Sequence, residues 1–279
     1  FTPLVVYLFV FVLNAAMPGR WVVGYATKPN STEKLNYRLN GIFVLFTVVL
    51  SWLLLCYFNV LPWNWLYETR WYGLAGAITF GLVFSLVLVL PSPPVKSSFF
   101  ADFYLGRLEN PQLWGGRIDA KMWLYLIGAI MLQLNILSFA AHHYLLYGAE
   151  ASTGIFLSTA LLTYFLIDYL TFEEVHLYTY DLFAERVGFK LGWGCIAFYP
   201  YFYAIQLWST VDLPSTQTPL YMLVLYALIF FCGWGLSRGA NLQKYFFKKD
   251  PTKTYLGIVP ETITDGNRTL LVNGFWGES

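Results

Sequence analysis

Seven long apolar segments constrain the fold of this chain more than any other feature of its sequence. They lie at about residues 1–15, 41–61, 73–90, 122–147, 152–170, 189–211 and 219–237. Each is near the roughly 20 residues that a helix needs to cross the hydrocarbon core of a bilayer. Only 12% of the 279 residues are charged and 57% are hydrophobic. The sequence therefore predicts an all-α fold, a polytopic membrane helix bundle with about seven spans.

Lysine and arginine alternate between the connections that join these segments. Loops 16–40 and 91–121 carry four each, loop 171–190 carries two, the tail after residue 237 carries six, and the other loops carry one or none. Cytoplasmic loops of membrane proteins are enriched in these residues. We therefore expect the basic loops on the cytoplasmic side, with residues 1–237 forming the bundle and residues 238–279 a cytoplasmic segment.

Composition and cysteine spacing argue against several classes of partner and cofactor. The formal net charge of +1 gives no indication of a nucleic-acid partner. Cys56, Cys195 and Cys232 lie far apart in apolar segments, so the sequence predicts neither a disulfide framework nor a metal site. The glycine-rich fingerprints of the Rossmann and P-loop nucleotide sites are absent from the sequence.

Residues 172–181 hold three carboxylates and a histidine between two apolar segments. Ionisable groups this close to a bilayer core are costly and commonly mark functional sites. Read as one helix, the stretch places Glu174, Tyr178 and Asp181 on a single face at i, i+4 and i+7. The alternative, a solvated loop at a helix end, stays open from the sequence.

The basic tail forms a second candidate site. If residues 239–251 continue the last span as a helix, Asn241, Lys244 and Lys248 share one face at i, i+3 and i+7. Such a face suits phosphate groups through charge and hydrogen bonds. The alternative is a cluster that anchors the chain to anionic lipid head groups.

Two spans carry polar features. In the fourth segment, Asn135, Ser138 and His142 form a stripe at i, i+3 and i+7, a pattern that more often bridges helices than binds substrate. In the sixth segment, Pro200 lacks a backbone donor and should kink the span and open space beside it.

Five stretches of the chain, in order, resemble motifs of the sterol reductase family. They are Met17-Pro-Gly-Arg20 with Leu35-Asn-Tyr-Arg-Leu-Asn-Gly41, Asp102-Phe-Tyr-Leu-Gly106 leading to Asn110-Pro111, Thr179-Tyr-Asp181 with Val187-Gly-Phe-Lys-Leu-Gly-Trp-Gly194, Gly239-Ala-Asn-Leu-Gln-Lys244, and Leu270-Leu-Val-Asn-Gly-Phe-Trp-Gly277. The family includes delta-14 and delta-7 sterol reductases, the C-24(28) reductase and lamin B receptor. The resemblance covers nearly the whole chain.

The chain also departs from the family pattern. Glu109 interrupts a segment that usually reads Leu-Asn-Pro-Arg, and Lys248 stands where arginine is usual. The last motif stops at Ser279, before the segment that would complete the family's cofactor pocket. We therefore expect further helices after Ser279 in the full-length protein. We expect the other end to be incomplete as well, because Phe1 stands inside an apolar run without a preceding methionine.

The resemblance implies a function as well as a fold. It implies NADPH-dependent reduction of a carbon–carbon double bond in a sterol ring, nearest to the delta-14 type, which acts on C14=C15. The alternatives are a reductase for the C7 or C24(28) bond and a sterol-binding structural protein of the lamin B receptor type. The implied cofactor is NADPH and the partners are a sterol and membrane lipid. The location would be the endoplasmic reticulum membrane in a eukaryote or the inner membrane in a bacterium.

Together, the resemblance and the chemistry suggest proton donors. An acid protonates one alkene carbon, and hydride from NADPH reaches the resulting cation. Asp181 or Glu174, with Tyr178 as relay, are the predicted donors, because a carboxyl group in an apolar site can stay protonated near neutral pH. A donor beyond Ser279 is the alternative.

The resemblance also suggests residues for the cofactor. Lys244, Lys248 and Asn241 would hold its phosphate end. Asn273 and Trp276 would approach its adenine or ribose, although an interfacial anchor is an equal expectation for Trp276.

Overall fold

The computed structural model describes residues 2–29, 31–96, 98–214, 218–266 and 268–276, and the side chains of Arg268 and Trp276 lie outside that description. Its helices are α1 (Thr2–Ala16), α2 (Gly41–Tyr57), α3 (Trp65–Glu68), α4 (Arg70–Val89), α5 (Phe99–Leu105), α6 (Ala120–Tyr147), α7 (Thr153–Thr171), α8 (Glu173–His176), α9 (Tyr180–Phe183), α10 (Phe189–Trp193), α11 (Tyr199–Phe202), α12 (Ile205–Thr210) and α13 (Leu220–Lys249). Its strands are β1 (Arg20–Thr27), β2 (Lys34–Leu39), β3 (Gln112–Leu113), β4 (Ile118–Asp119), β5 (Thr262–Asp265) and β6 (Arg268–Leu271).

The protein is a helical membrane protein, as the apolar segments predict. Within the described residues, four helices are long and apolar enough to cross a membrane: α4, α6 with the turn that follows it, α7 and α13. Helices α1 and α2 are apolar but shorter, at 15 and 17 residues. The count of about seven spans therefore stays a prediction.

Helix α6 is the centre of the bundle. In its apolar part 89% of the residues are buried inside the protein, whereas none is buried in the apolar part of α13. Its polar stripe bridges helices, as predicted. Asn135 donates to the Pro200 carbonyl at 2.9 Å, and the Ser138 hydroxyl accepts from two backbone N–H groups of α3. His142 Nε2 lies 3.1 Å from a carboxylate oxygen of Asp212. The stripe therefore holds the bundle together.

The predicted span at 189–211 is a series of short helices, with a π-helical turn at Gly194–Phe198 between α10 and α11. Pro200 cannot donate to the carbonyl of Ile196, four residues earlier, because proline has no N–H. The Tyr7 hydroxyl donates to that carbonyl instead, at 2.6 Å. A π-helical turn thus precedes Pro200, and a side chain of α1 satisfies the carbonyl that proline cannot. The predicted kink stays a prediction, because the helical path continues through Pro200 to Phe202.

The all-α prediction describes the bundle but not its loops, whose described residues form three antiparallel strand pairs. In β2, the side chains of Leu35, Tyr37 and Leu39 are buried at every second position. This period of two is the signature of a half-buried strand. Strand β2 pairs with β1 in an antiparallel arrangement in which Arg20 lies opposite Leu39.

Residues 172–181 do not form the single helix that the sequence analysis expects. The chain turns between α8 and α9, and the Thr179 hydroxyl donates to the carbonyl of His176 at 2.7 Å. Threonine side chains at turns compete with helical hydrogen bonds in this way. Glu174, Tyr178 and Asp181 consequently do not share one helical face.

Candidate functional site

The acidic stretch and the basic end of α13 meet around Glu174. Lys249 Nζ donates to its carboxylate at 2.5 Å, and the Tyr245 hydroxyl donates to the same oxygen at 2.7 Å. Arg20, at the start of β1, donates to the other oxygen at 2.5 Å. Three elements that are far apart in the sequence, β1, α8 and α13, therefore converge on one carboxylate.

The environment of Glu174 keeps its carboxyl group ionised. Burial by itself would raise its pKa, but the hydrogen bonds from the two cations and the tyrosine outweigh burial and lower the pKa to about 2. A group with this pKa carries no proton to donate near neutral pH. Its contacts instead fit a role in fixing β1 and α13 to α8.

Asp181 is held differently, by two side chains of α6. The Tyr125 hydroxyl donates to its Oδ2 at 2.9 Å. One turn earlier, the fully buried Lys121 donates through Nζ to the Asp181 carbonyl at 2.9 Å and to the Leu182 carbonyl at 3.0 Å, and also to the carbonyl of Glu185. The position of Asp181 is thus determined by contacts to both its main chain and its side chain.

The Tyr178 side chain packs against other aromatic rings. Its ring packs edge-on against Tyr245, with centroids 4.9 Å apart, and lies 5.8 Å from the ring of Tyr25. Its carbonyl accepts from Lys248 at 2.9 Å. The tyrosine that contacts Asp181 is Tyr125, which the sequence analysis missed because it lies 56 positions away on another helix.

His176 connects this pair to an open cavity. Its Nε2 donates to the carbonyl of Tyr169 at 2.9 Å, and its ring lies 4.0 Å from the Tyr169 ring and 6.0 Å from that of Tyr125. Burial lowers the pKa of His176 to about 4, so the imidazole is neutral at physiological pH. Polar side chains thus form a continuous row that begins at Asp181, passes through Tyr125 and ends at His176 and Tyr169.

The cavity has a volume of about 550 Å³ and lies between α7 and α13. Its volume is within the roughly 300–1,000 Å³ that is typical of small-molecule sites. His176 and Tyr169 form one part of its wall, and Asn241 of α13 forms another. Its apolar walls come from Phe165, Ile229, Phe230 and Trp234. Both α7 and α13 are candidate spans, so the cavity lies between two helices that could cross the membrane.

The residues predicted to hold phosphate lie on α13, which runs unbroken from the last apolar segment, as expected. Asn241 lines the cavity. Lys244 is half-buried on the next turn. Lys248 is the most constrained, because its ammonium lies 3.6 Å from the centroid of the Phe183 ring and donates to the Tyr178 carbonyl. The predicted division of the chain at 237/238 falls inside this helix.

Asn273 has both ends of its side-chain amide engaged. Its oxygen accepts from the Glu261 N–H at 3.1 Å and its nitrogen donates to the Val259 carbonyl at 2.8 Å. Its own carbonyl accepts from the buried Gln243 of α13 at 3.1 Å. These contacts attach the last described segment to α13. The Trp276 side chain, the other predicted contact for the adenine or ribose, lies outside the described residues.

Several known proteins are similar to this chain over most of its length. The profile of the Ergosterol biosynthesis ERG4/ERG24 family matches residues 1–279. The chain is 30% identical over 280 residues to the delta(14)-sterol reductase of Methylotuvimicrobium alcaliphilum, which covers 95% of this chain and 62% of that protein. It is 27% identical over 285 residues to the delta(14)-sterol reductase of Arabidopsis thaliana, covering 97% and 74%. It is 26% identical over 266 residues to the delta(14)-sterol reductase LBR of Gallus gallus, covering 89% and 40%. The chain thus spans less than two thirds of the length of the bacterial relative.

Proposed function

The chain belongs to the ergosterol biosynthesis ERG4/ERG24 family, and we propose that the protein reduces the C14=C15 double bond of a sterol with NADPH. The bacterial and plant relatives named above are delta(14)-sterol reductases, which supports this bond over the C7 and C24(28) alternatives. The membrane would be that of the endoplasmic reticulum in a eukaryote or the inner membrane in a bacterium.

One observation carries the proposal: the Asp181–Tyr125 pair lies one ring away from a cavity between two candidate membrane spans. Tyr169 and His176 line that cavity, and their rings lie about 6 Å from the Tyr125 ring. An alkene is a weak base, so its protonation requires a well-placed acid and little water. The apolar side chains of Phe165, Ile229, Phe230 and Trp234 would help to keep water out of their part of the cavity.

Asp181 and Tyr125 would deliver the proton to the alkene together, with Tyr125 as the relay. With Asp181 protonated, its Oδ2 would donate to the Tyr125 oxygen while the Tyr125 hydroxyl proton passes to an alkene carbon. This step requires the sterol to reach past the Tyr169 and His176 rings, because Tyr125 is not among the residues that line the cavity. Asp181 ends as a carboxylate, and the proton it lost is the one gained by the sterol overall. The positive charge on the sterol would be stabilised by the faces of neighbouring aromatic rings and by that carboxylate.

The end of α13 fits the phosphate groups of a dinucleotide, because Lys244, Lys248 and Lys249 lie within six residues beside the cavity wall at Asn241. Bound NADPH supplies the hydride. Lys244 and Asn241 would hold its phosphate end. The Lys248 ammonium has a main-chain acceptor and two aromatic faces close to it, so its contribution would be mainly its charge. Asn273 would act by holding the last segment in place.

The test is turnover by the full-length protein in nanodiscs. Three sterols that differ only in carrying the double bond at C14, C7 or C24(28) are incubated with NADPH, and the products are separated by mass spectrometry. We expect the C14 substrate alone to gain two hydrogens. Reduction of another substrate would assign the protein to that bond. Tight sterol binding without any product would favour the binding-protein alternative.

A further inference from the structure

Helix α5 turns its aromatic side chains outward and its charged side chain inward. Phe100 is 80% exposed, and Phe99 and Tyr104 are about half exposed. Asp102, the one charged residue of this helix, is 1% exposed. Helices at a water-facing surface show the reverse arrangement, with charged side chains in solvent and apolar ones in the core. The outer face of α5 therefore does not fit contact with water.

The inner side of α5 is fixed to the end of helix α4. Arg107 Nε donates to Oδ2 of Asp102 at 2.8 Å, and its Nη1 donates to the carbonyls of Val89 and Ser92 at 2.9 and 2.6 Å. Asp102 also accepts from the backbone N–H groups of residues 95 and 96. Val89 is the last residue of α4, which is a candidate span. These contacts hold α5 at the end of a candidate span with its aromatic face turned away from the protein.

The aromatic face of α5 continues onto helices α10 and α11. The Phe103 ring stacks on Phe189 at 5.5 Å, and Phe189 stacks on Trp193 at 5.4 Å. The Trp193 and Phe198 rings, 6.3 Å apart, continue this row across the π-helical turn. Phe198 then stacks on Phe202 at 5.2 Å, and these two side chains are 47% and 37% exposed. The outer face of α5 is thus one end of a longer apolar surface on the predicted span at 189–211, which indicates contact with lipid.

The polar groups beside this face favour the boundary of a bilayer over its interior. Lys96, just before α5, is exposed. Lys190, although paired with Glu185, has a side chain that is 48% exposed beside the stacked ring of Phe189. Lysines at the edge of an apolar surface suit the phosphate groups of lipids. Tyr104 adds an apolar ring with a polar tip, a combination that is enriched at membrane–water interfaces.

We propose that α5 lies in the membrane–water interface, with Phe99, Phe100 and Tyr104 among the lipid head groups and the adjoining acyl chains. A helix of this kind lies in the plane of the interface and does not cross the bilayer. Residues 99–105 are then part of the membrane-contacting surface, although they belong to a loop between two apolar segments. This placement does not depend on which reaction the protein catalyses.

Helix α5 would also fix the depth of α10. Gly106, directly after α5, has a φ of +90°, and a Cβ there would lie 2.4 Å from the carbonyl carbon of Val187. The Val187 N–H donates to the Leu108 carbonyl at 2.8 Å. Val187 belongs to the connection between Asp181 and α10. An anchor at α5 would therefore hold this connection at a constant distance from the bilayer.

The experiment measures the depth of a fluorophore attached to α5. Phe100→Cys is made in a full-length protein whose other exposed cysteines, Cys232 among them, are replaced by serine; Cys56 and Cys195 are buried. The new cysteine is labelled with nitrobenzoxadiazole, and the protein is placed in nanodiscs of zwitterionic and anionic phospholipids. Quenching by lipids that carry a nitroxide is compared with quenching by iodide in the water.

Glu109→Cys is the matched control, because Glu109 lies in the same loop four residues beyond α5 and its side chain is 57% exposed. Since an interfacial helix is buried about 5–10 Å deep, we expect nitroxide lipids to quench the label at residue 100 at least about threefold more than the label at residue 109. Iodide should show the opposite order. Equal iodide quenching of the two labels overturns the proposal. Protection of the label at residue 100 from both quenchers also overturns it, and indicates that protein covers α5.

Tyr104→Cys supplies a second reporter, so that the result does not depend on one variant. Tyr104 lies one turn from Phe100 on the same exposed face. Its label should also be quenched by nitroxide lipids, because a helix in the plane of the interface keeps both positions at a similar depth. Each labelled protein is compared with the wild type by thermal unfolding before the measurement. Iodide quenching at residue 104 as strong as that at residue 109 would contradict the interfacial position.

Discussion

The Tyr125 hydroxyl donates a hydrogen bond to Oδ2 of Asp181 at 2.9 Å and joins the central helix α6 to the short helix α9. Lys121, one turn earlier on α6, bonds to the main-chain carbonyl of the same aspartate. On its other side, the Tyr125 ring faces His176 and Tyr169 in the cavity wall. Tyr125 therefore lies between the candidate acid and the two rings that line the cavity.

Replacing Tyr125 by Phe removes the proton that would pass to the alkene while keeping the ring. We expect kcat to fall about 100-fold or more, the usual size of a general-acid contribution, with little change in sterol affinity. The measurement is steady-state turnover with a C14-unsaturated sterol. Tyr178→Phe is the control, because no contact joins Tyr178 to Asp181 in the described structure; a larger loss in that variant would restore Tyr178 as the relay.

Asp181→Asn keeps the shape of the side chain but removes its proton. We expect no measurable turnover, while the dissociation constant for sterol changes less than about threefold, because Asp181 does not line the cavity. Binding and turnover are measured on the same preparation. Retained turnover would remove Asp181 from the mechanism and indicate a donor elsewhere in the full-length protein.

Glu174 gives a pH dependence of stability. The pKa of its carboxyl group is about 2 in the folded protein, below the ordinary value of 4.5. The ionised carboxylate therefore stabilises the folded state above about pH 4.5. This stabilisation is lost as the pH falls from about 4.5 towards 2. Glu174→Gln should lower the free energy of unfolding at pH 7 by only about 1 kcal/mol, because the Arg20 partner is 67% exposed.

The measurement is the thermal unfolding temperature in detergent between pH 7 and pH 3, compared with that of the wild type. The difference between the two proteins should shrink as the pH falls through this window. Turnover at pH 7 should persist in Glu174→Gln. A complete loss of turnover in a folded variant would return Glu174 to the list of proton donors.

Lys244→Ala tests the phosphate site on α13. We expect the Michaelis constant for NADPH to rise about tenfold or more, the effect of losing a charge-assisted hydrogen bond, with a smaller change for the sterol. Lys253→Ala is the control, since this nearby lysine follows the helix and lies 4.3 Å from the ring of Phe246. Equal changes in both Michaelis constants would argue against the phosphate role.

Lys121→Met tests the support of Asp181. The change leaves three carbonyls, one in a fully buried contact, without their shared donor, so the free energy of unfolding should fall by about 2 kcal/mol or more. Thermal unfolding and turnover are measured together. Lys121→Arg retains a cation and should recover part of both. A methionine variant with wild-type stability would contradict the assignment.

Several features could be predicted from the sequence because they depend on local patterns. The helical membrane class follows from apolar length, and the bridging role of Asn135 and Ser138 from helical spacing. The carbonyl left without a helical donor follows from the missing N–H of Pro200. The unbroken α13 follows from the lack of a proline between Leu220 and Lys249. The hairpin of β1 and β2 had a visible signal in the alternation of Leu35, Tyr37 and Leu39, which the helical interpretation left unused.

The sequence by itself determined that the chain enters a membrane, which segments are apolar, and that carboxylates and lysines lie at the ends of particular spans. Only the tertiary structure decided what those groups can do. Glu174 is ionised because Arg20, 154 positions away, and Lys249, 75 positions away, reach it, whereas Asp181 is held by Tyr125 of α6. The charge state of a side chain depends on its neighbours in space, and in a helix bundle the packing of distant segments supplies those neighbours.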